Sequence, residues 1–108
     1  MAQDFERTGQ QITNSATTIL TANSDDAIVG CRLANITAAA VTCSVWISES
    51  GSTSRYLVKD VRIPPASWVE LIQSGSKVVI QNTDVLKGQS SAASSVDCWV
   101  SRVDSIST

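Results

Sequence analysis

Histidine is missing from the chain altogether. That excludes Ser-His-Asp and Cys-His nucleophilic arrangements, His-ligated zinc, and the side chain that most often serves as a general base near neutral pH. Charge is also scarce: 17% of residues are charged, against about 25% in an ordinary domain. The eight basic residues are spread along the chain, from Arg7 to Arg102, with no run able to neutralise a row of phosphates. Nucleic acid and anionic membrane surfaces are therefore not expected partners. No stretch approaches the ~20 apolar residues of a spanning helix. The opening "MAQDFERTGQQ" is polar and acidic, unlike a signal peptide.

Three cysteines, Cys31, Cys43 and Cys98, make an odd number and no disulfide framework. Each falls on the apolar side of a strand-like segment, where a reduced thiol behaves as a small hydrophobe. One disulfide between two of them is the alternative. Carboxylate chemistry has two weak candidates. Asp25 and Asp26 lie in "NSDD", which is ordinary turn composition. Glu49 and Glu70 would form a glycosidase pair only if the fold held them at a defined separation. Gly75 and Gly88 are isolated and make no phosphate loop. No catalytic residue, metal site or cofactor is expected.

What the chain does contain is alternation. In "AVTCSVWIS" (40–48), Val41, Cys43, Val45 and Ile47 fall on one side, and Thr42, Ser44, Trp46 and Ser48 on the other. Period two marks a half-buried strand. Similar segments follow one another: 16–22, 28–36 with Val29, Cys31 and Leu33 inward, 55–65, 67–73, 77–81, 85–91, and 96–104 with Val96, Cys98 and Val100 inward. In 67–73, Val69 and Leu71 alternate against Trp68, Glu70 and Ile72. The pattern slips between Leu57-Val58 and Val61-Ile63, which predicts a bulge, and Pro64-Pro65 ends that strand. "ESGSTS" (49–54) reads as a hairpin loop with Gly51 free to take positive φ, and "SGS" (74–76) as a turn. "AASS" (92–95) allows at most one helical turn. At this length the chain makes one domain: an all-β, antiparallel sandwich of eight or nine short strands over 15–108, jelly-roll or immunoglobulin-like, preceded by a polar arm over 1–14.

The tryptophans break the pattern. By parity Trp46, Trp68 and Trp99 all lie on the nominally wet side of their strands. Covering one such ring is worth on the order of 4–6 kcal/mol as an upper bound. Two explanations compete. The rings pack within the monomer, or they anchor a subunit interface, together with Phe5 of the arm. An arm of this kind is disordered or lies on a neighbour. Exposed aromatic rings beside polar groups, such as Trp68 with Gln73 and Asn82, also suit a host glycan.

From 16 to 103 the chain resembles a family of small β-sandwich virion proteins of tailed bacteriophages, common among phages of cyanobacteria and marine bacteria. The segments that carry the resemblance are "ILTA" (19–22), "IVGCRLANITAAAVTCSVWI" (28–47), "RYLVKDVRIP" (55–64), "WVEL" (68–71) and "DCWVS" (97–101). The three tryptophans and three cysteines depart from the family pattern, which has small or aliphatic residues there. The resemblance implies a non-enzymatic virion building block, assembled in the host cytoplasm. It would bind copies of itself, as a trimer or ring, and larger phage proteins. Its expected place is on the head, as a decoration or cement protein on the major capsid protein. The alternative places are neck, connector, or tail and fibre attachment.

Overall fold

A computed structural model describes residues 4–50, 52–72 and 76–104. Gly51 of the expected hairpin loop, Gln73, and Ser74 and Gly75 of the expected "SGS" turn lie outside the described residues. Among the described residues there is no helix, and nine strands form two sheets. They are β1 (Asp4–Ile12), β2 (Thr17–Thr21), β3 (Asp26–Asn35), β4 (Val41–Glu49), β5 (Thr53–Ile63), β6 (Trp68–Glu70), β7 (Val78–Ile80), β8 (Val85–Ser90) and β9 (Val96–Asp104). The larger sheet runs β1-β9-β3-β6, with β7 also on β3; the smaller runs β2-β8-β4-β5.

These pairings nest. Outward from the β4–β5 hairpin, β3 pairs with β6 and β7, β2 with β8, and β1 with β9, all antiparallel. The chain is thus one long antiparallel hairpin rolled so that successive layers fall in alternate sheets. That is a jelly roll, the first of the two sandwich types the strand spacing allowed. Between the sheets lie Ile12, Ile28, Leu33, Val45, Ile63, Ile80, Leu86, Val96 and Val100, all fully buried. Cys31, Cys43 and Cys98 join them as free thiols, as their inward parity required. Cys31 and Cys98 are neighbours, with sulfurs 4.0 Å apart.

Segments 40–48 and 96–104 form the expected strands with the expected inward residues. The expected bulge is there twice. Val61 sits opposite Cys43 and Val58 opposite Val45, so Lys59 and Asp60 share the single position of Ser44. Asp60 takes φ 53°. Ser44 Oγ accepts the Asp60 N–H at 2.9 Å and lies 3.3 Å from its carboxylate, which staples the distortion in place. A second shift at Leu57 brings Tyr56 opposite Trp46.

Asn35 secures the crossing from one sheet to the other. Its buried amide donates to the carbonyls of Ala39, Ile63 and Pro64, while its Oδ1 accepts from the Thr37 N–H and hydroxyl. Five bonds on one side chain tie the end of β3 to the start of β4 and the end of β5. This gives the "AN" of the sequence a structural role.

Three features differ from expectation. Residues 4–12, read as part of a polar arm, form β1 and pair with β9 at nine successive positions. An edge strand with one solvated face needs few apolar residues, so polar composition concealed it. In β3 a bulge leaves Val29 unpaired between Ile28 and Gly30, so Ile28, not Val29, occupies the inward place beside Cys31 and Leu33. The strand expected over 67–73 ends at Glu70. There Glu70 Oε2 accepts the Cys31 N–H at 2.8 Å, where a ladder carbonyl would otherwise stand, and Ile72 turns inward. Residues 92–95 make a non-helical turn, with Ser94 at φ 49°, within the expected limit of one helical turn.

Candidate interaction face

Strand register sorts side chains onto two outer faces, and the three tryptophans part company. Trp46 belongs to the smaller sheet and is only 8% exposed. Its ring packs on Tyr56 at 5.4 Å between centroids, tilted by 43°. Lys59 Nζ lies 5.3 Å from the Tyr56 centroid, on the same face. Around them the face is polar, with Thr42, Ser44, Asp60, Gln89 and Ser91 lining a hollow of about 310 Å³. Trp46 thus has its cover within its own chain and little surface to offer a partner.

Trp68 and Trp99 belong to the outer face of the larger sheet and are 55% and 49% exposed. Trp99 on β9 stands opposite Gly9 of β1 on one side and Arg32 of β3 on the other. A Cβ on Gly9 would come within 3.3 Å of two Trp99 ring carbons, so the glycine lets the ring lie across β1. Arg7 and Arg32 approach the Trp99 and Trp68 rings at 5.4 and 4.1 Å from guanidinium carbon to centroid. Both are cation–π distances. Arg32 also faces Glu70, with Nε 3.6 Å from Oε1.

The same register puts Phe5, Val103, Ala27 and Val79 side by side across β1, β9, β3 and β7. Phe5 is 83% and Val79 59% exposed. The face therefore carries an apolar row at one end and two rings held by arginines toward the other. Shallow hollows of about 320 and 290 Å³ flank Trp99, the first lined by Gly30, Arg32, Glu70 and Ser101, the second by Gly9, Gln11 and Asp97. Trp99 thus lines both of these hollows.

Phe5, Trp68 and Trp99, singled out from the sequence, thus share one face, and Trp46 lies on the opposite one. Val79 and Val103 were not singled out, since nothing local in "KVVIQ" or "SRVD" marks them; only the four-strand register brings them beside Phe5. For the glycan arrangement, Gln73 lies outside the described residues, and one face of the Trp68 ring already carries the Arg32 guanidinium.

The carboxylates fall apart as a pair. Glu49 closes β4 in the smaller sheet and binds Arg55 at 3.2 Å; Glu70 lies in the larger sheet against Arg32. Asp26 opens β3, fully buried, and pairs with Arg102 and with Ser24 Oγ, the latter at 2.6 Å. Arg102 also reaches Glu6 at 2.7 Å, tying β1 to β9 and β3. The hydrogen bond from Ser24, together with Arg102 nearby, lowers the Asp104 carboxyl below its ordinary value. Among the described residues no group of three or more Cys, Asp or Glu side chains is placed to hold a metal ion. Burial, then the neighbouring Cys31, pushes the Cys43 thiol up to about 11. The Cys98 thiol is raised too, by its contact with Cys31 and by burial.

No protein-family model matches the chain, and no curated protein matches it. Among solved structures, one similar chain is a pentameric capsid protein isolated from metagenomic phage sequences, 16% identical, with a TM-score of 0.48. The alignment covers 93% of this chain and 60% of that one, so this chain spans less than two thirds of its length.

Proposed function

We propose that the protein is a non-enzymatic building block of a tailed-phage virion that docks through the outer face of its larger sheet. The reading places it on the head, as a decoration or cement protein bound to the major capsid protein and to copies of itself. One observation carries the docking: the molecule covers its tryptophan on one outer face and leaves two half exposed on the other. At ordinary strand spacing and rise, three strands of nine or ten residues, with the short β6 and β7 sharing the fourth position, present roughly 500 Å². A standard interface takes about 800 Å² from each partner. Aromatic and arginine side chains are the usual anchors at such interfaces. The resemblance of residues 16–103 to phage virion proteins supports the setting, and the jelly roll is compatible with it, though that fold also serves lectins and cupins. The absence of histidine and the separation of the carboxylate candidates agree with a structural role.

The test is binding of the purified chain to empty phage heads, read by co-sedimentation. Wild type pellets with the heads. The Trp68→Ala/Trp99→Ala variant loses binding by about thirtyfold or more, the effect of losing an anchor worth 2 kcal/mol. Equal binding by the two proteins would overturn the proposal.

A further inference from the structure

We infer that β1 is a pairing edge for the β1 strand of a second copy, joining the two larger sheets across a twofold axis. The sheet edges differ in how they are protected. β5 has two register breaks, a left-handed Asp60, and Pro64 at its end. β2 has five residues and a break after Thr18. β6 and β7 have three residues each. Breaks, brevity and proline are how proteins blunt a sheet edge. β1 has none of them. It makes nine unbroken pairs with β9 and ends the strand order, with no strand on its other side among the described residues.

Its charges do not blunt it either. Glu6 is held by Arg102 at 2.7 Å, and Arg7 lies over Trp99. The edge therefore presents main-chain donors and acceptors with its central charges drawn back onto its own chain. Its low apolar content favours one defined pairing over indiscriminate stacking.

The side chains select a register. A twofold axis perpendicular to the sheet keeps each residue on its own face, so it must pass through a residue. An axis at Arg7 would set two arginines against each other. An axis at Thr8 sets Thr8 against Thr8, Arg7 against Gly9, Glu6 against Gln10, and Phe5 against Gln11. No like charges then oppose one another, and threonine pairs well with threonine across strands. Each Arg7 meets the partner's glycine, over which the partner's Trp99 ring already lies, so the guanidinium gains a second ring. The contact is isologous, as a closed dimer requires.

This extends the self-assembly half of the proposed function, yet it does not depend on binding to heads. The test is disulfide trapping in the full chain, alongside sedimentation of the unmodified protein. Thr8→Cys brings two thiols together at the axis and yields a covalent dimer under mild oxidation. Asp4→Cys leaves the two thiols about 27 Å apart at ordinary strand rise and stays monomeric. Unmodified protein sediments as a dimer, and its β1 amides exchange more slowly as concentration rises. The Trp68→Ala/Trp99→Ala variant still cross-links through Thr8→Cys if the docking face alone has failed. A monomer at every concentration, concentration-independent exchange in β1, or equal cross-linking from Asp4→Cys would overturn the inference.

Discussion

The two outer faces of this sandwich solve the same problem in different ways. Each carries tryptophan where strand alternation calls for a polar residue. On the smaller sheet the double distortion of β5 sets Tyr56 against Trp46, with Lys59 over Tyr56, and the Trp46 ring is 8% exposed. On the larger sheet Arg32 and Arg7 lie over Trp68 and Trp99 but leave the rings 55% and 49% exposed, and recesses lined by Gly30 and Gly9 flank Trp99. A ring covered by its own chain contributes to folding. A ring left half exposed beneath an arginine still has surface to offer, and the proposed docking uses it. Parity alone cannot separate these cases, because it says which side a ring is on and not what lies above it.

The comparison breaks most visibly under truncation. Trp46→Ala should lower monomer stability by roughly 3–5 kcal/mol, as loss of a buried aromatic does. Urea unfolding of the wild type and variant checks this, and a change below about 1 kcal/mol would mean that Tyr56 does not constitute real cover. Trp99→Ala should leave the monomer's midpoint nearly unmoved and instead weaken binding to empty heads by about 2 kcal/mol, readable by co-sedimentation. A variant that unfolds early yet assembles normally would reverse the roles of the two faces.

A smaller effect sharpens the account of the cover itself. Ser44→Ala removes the acceptor of the Asp60 N–H, and with it the staple that holds the bulge. A loss of about 1–2 kcal/mol is expected, with Trp46 fluorescence shifting red as water reaches the ring. Unchanged emission would show that the bulge holds its shape without the serine.

How much of this could be read beforehand varies with locality. Strands 40–48 and 96–104 and the β5 bulge were legible because alternation and its interruption are written within a few residues. The arm over 1–14 concealed a strand, since an edge with one wet face is as polar as a loop. Val29 took the inward place of Ile28 in the sequence reading because a bulge with no proline or slipped alternation near it leaves no local mark. The proposed docking face was half visible: Phe5, Trp68 and Trp99 are conspicuous by type. Val79 and Val103 join them only through pairings between strands distant in the chain, which composition does not encode. The covering of Trp46 was likewise hidden, because it depends on a register break in another strand.

A pH-dependent effect concerns the core that both faces share. The buried Cys43 thiol is pushed up to about 11 from an ordinary 9.0. Between these values the unfolded chain releases its proton while the folded chain keeps it. The thiol therefore adds its full share to stability below about pH 9 and loses it progressively as pH rises to about 11. Urea midpoints should fall across that window and fall less in Cys43→Ala. The same slope in both would assign the alkaline loss to other groups.

The most direct test of the account is hydroxyl-radical footprinting of the protein free and assembled, with oxidation measured at each aromatic residue. The free monomer should label strongly at Phe5, Trp68 and Trp99 and weakly at Trp46. On assembly Trp68 and Trp99 should become protected, while Trp46 should stay as weakly labelled as before. Equal labelling of Trp68 and Trp99 in the two states would contradict the claim that the outer face of the larger sheet is where this protein meets its partners.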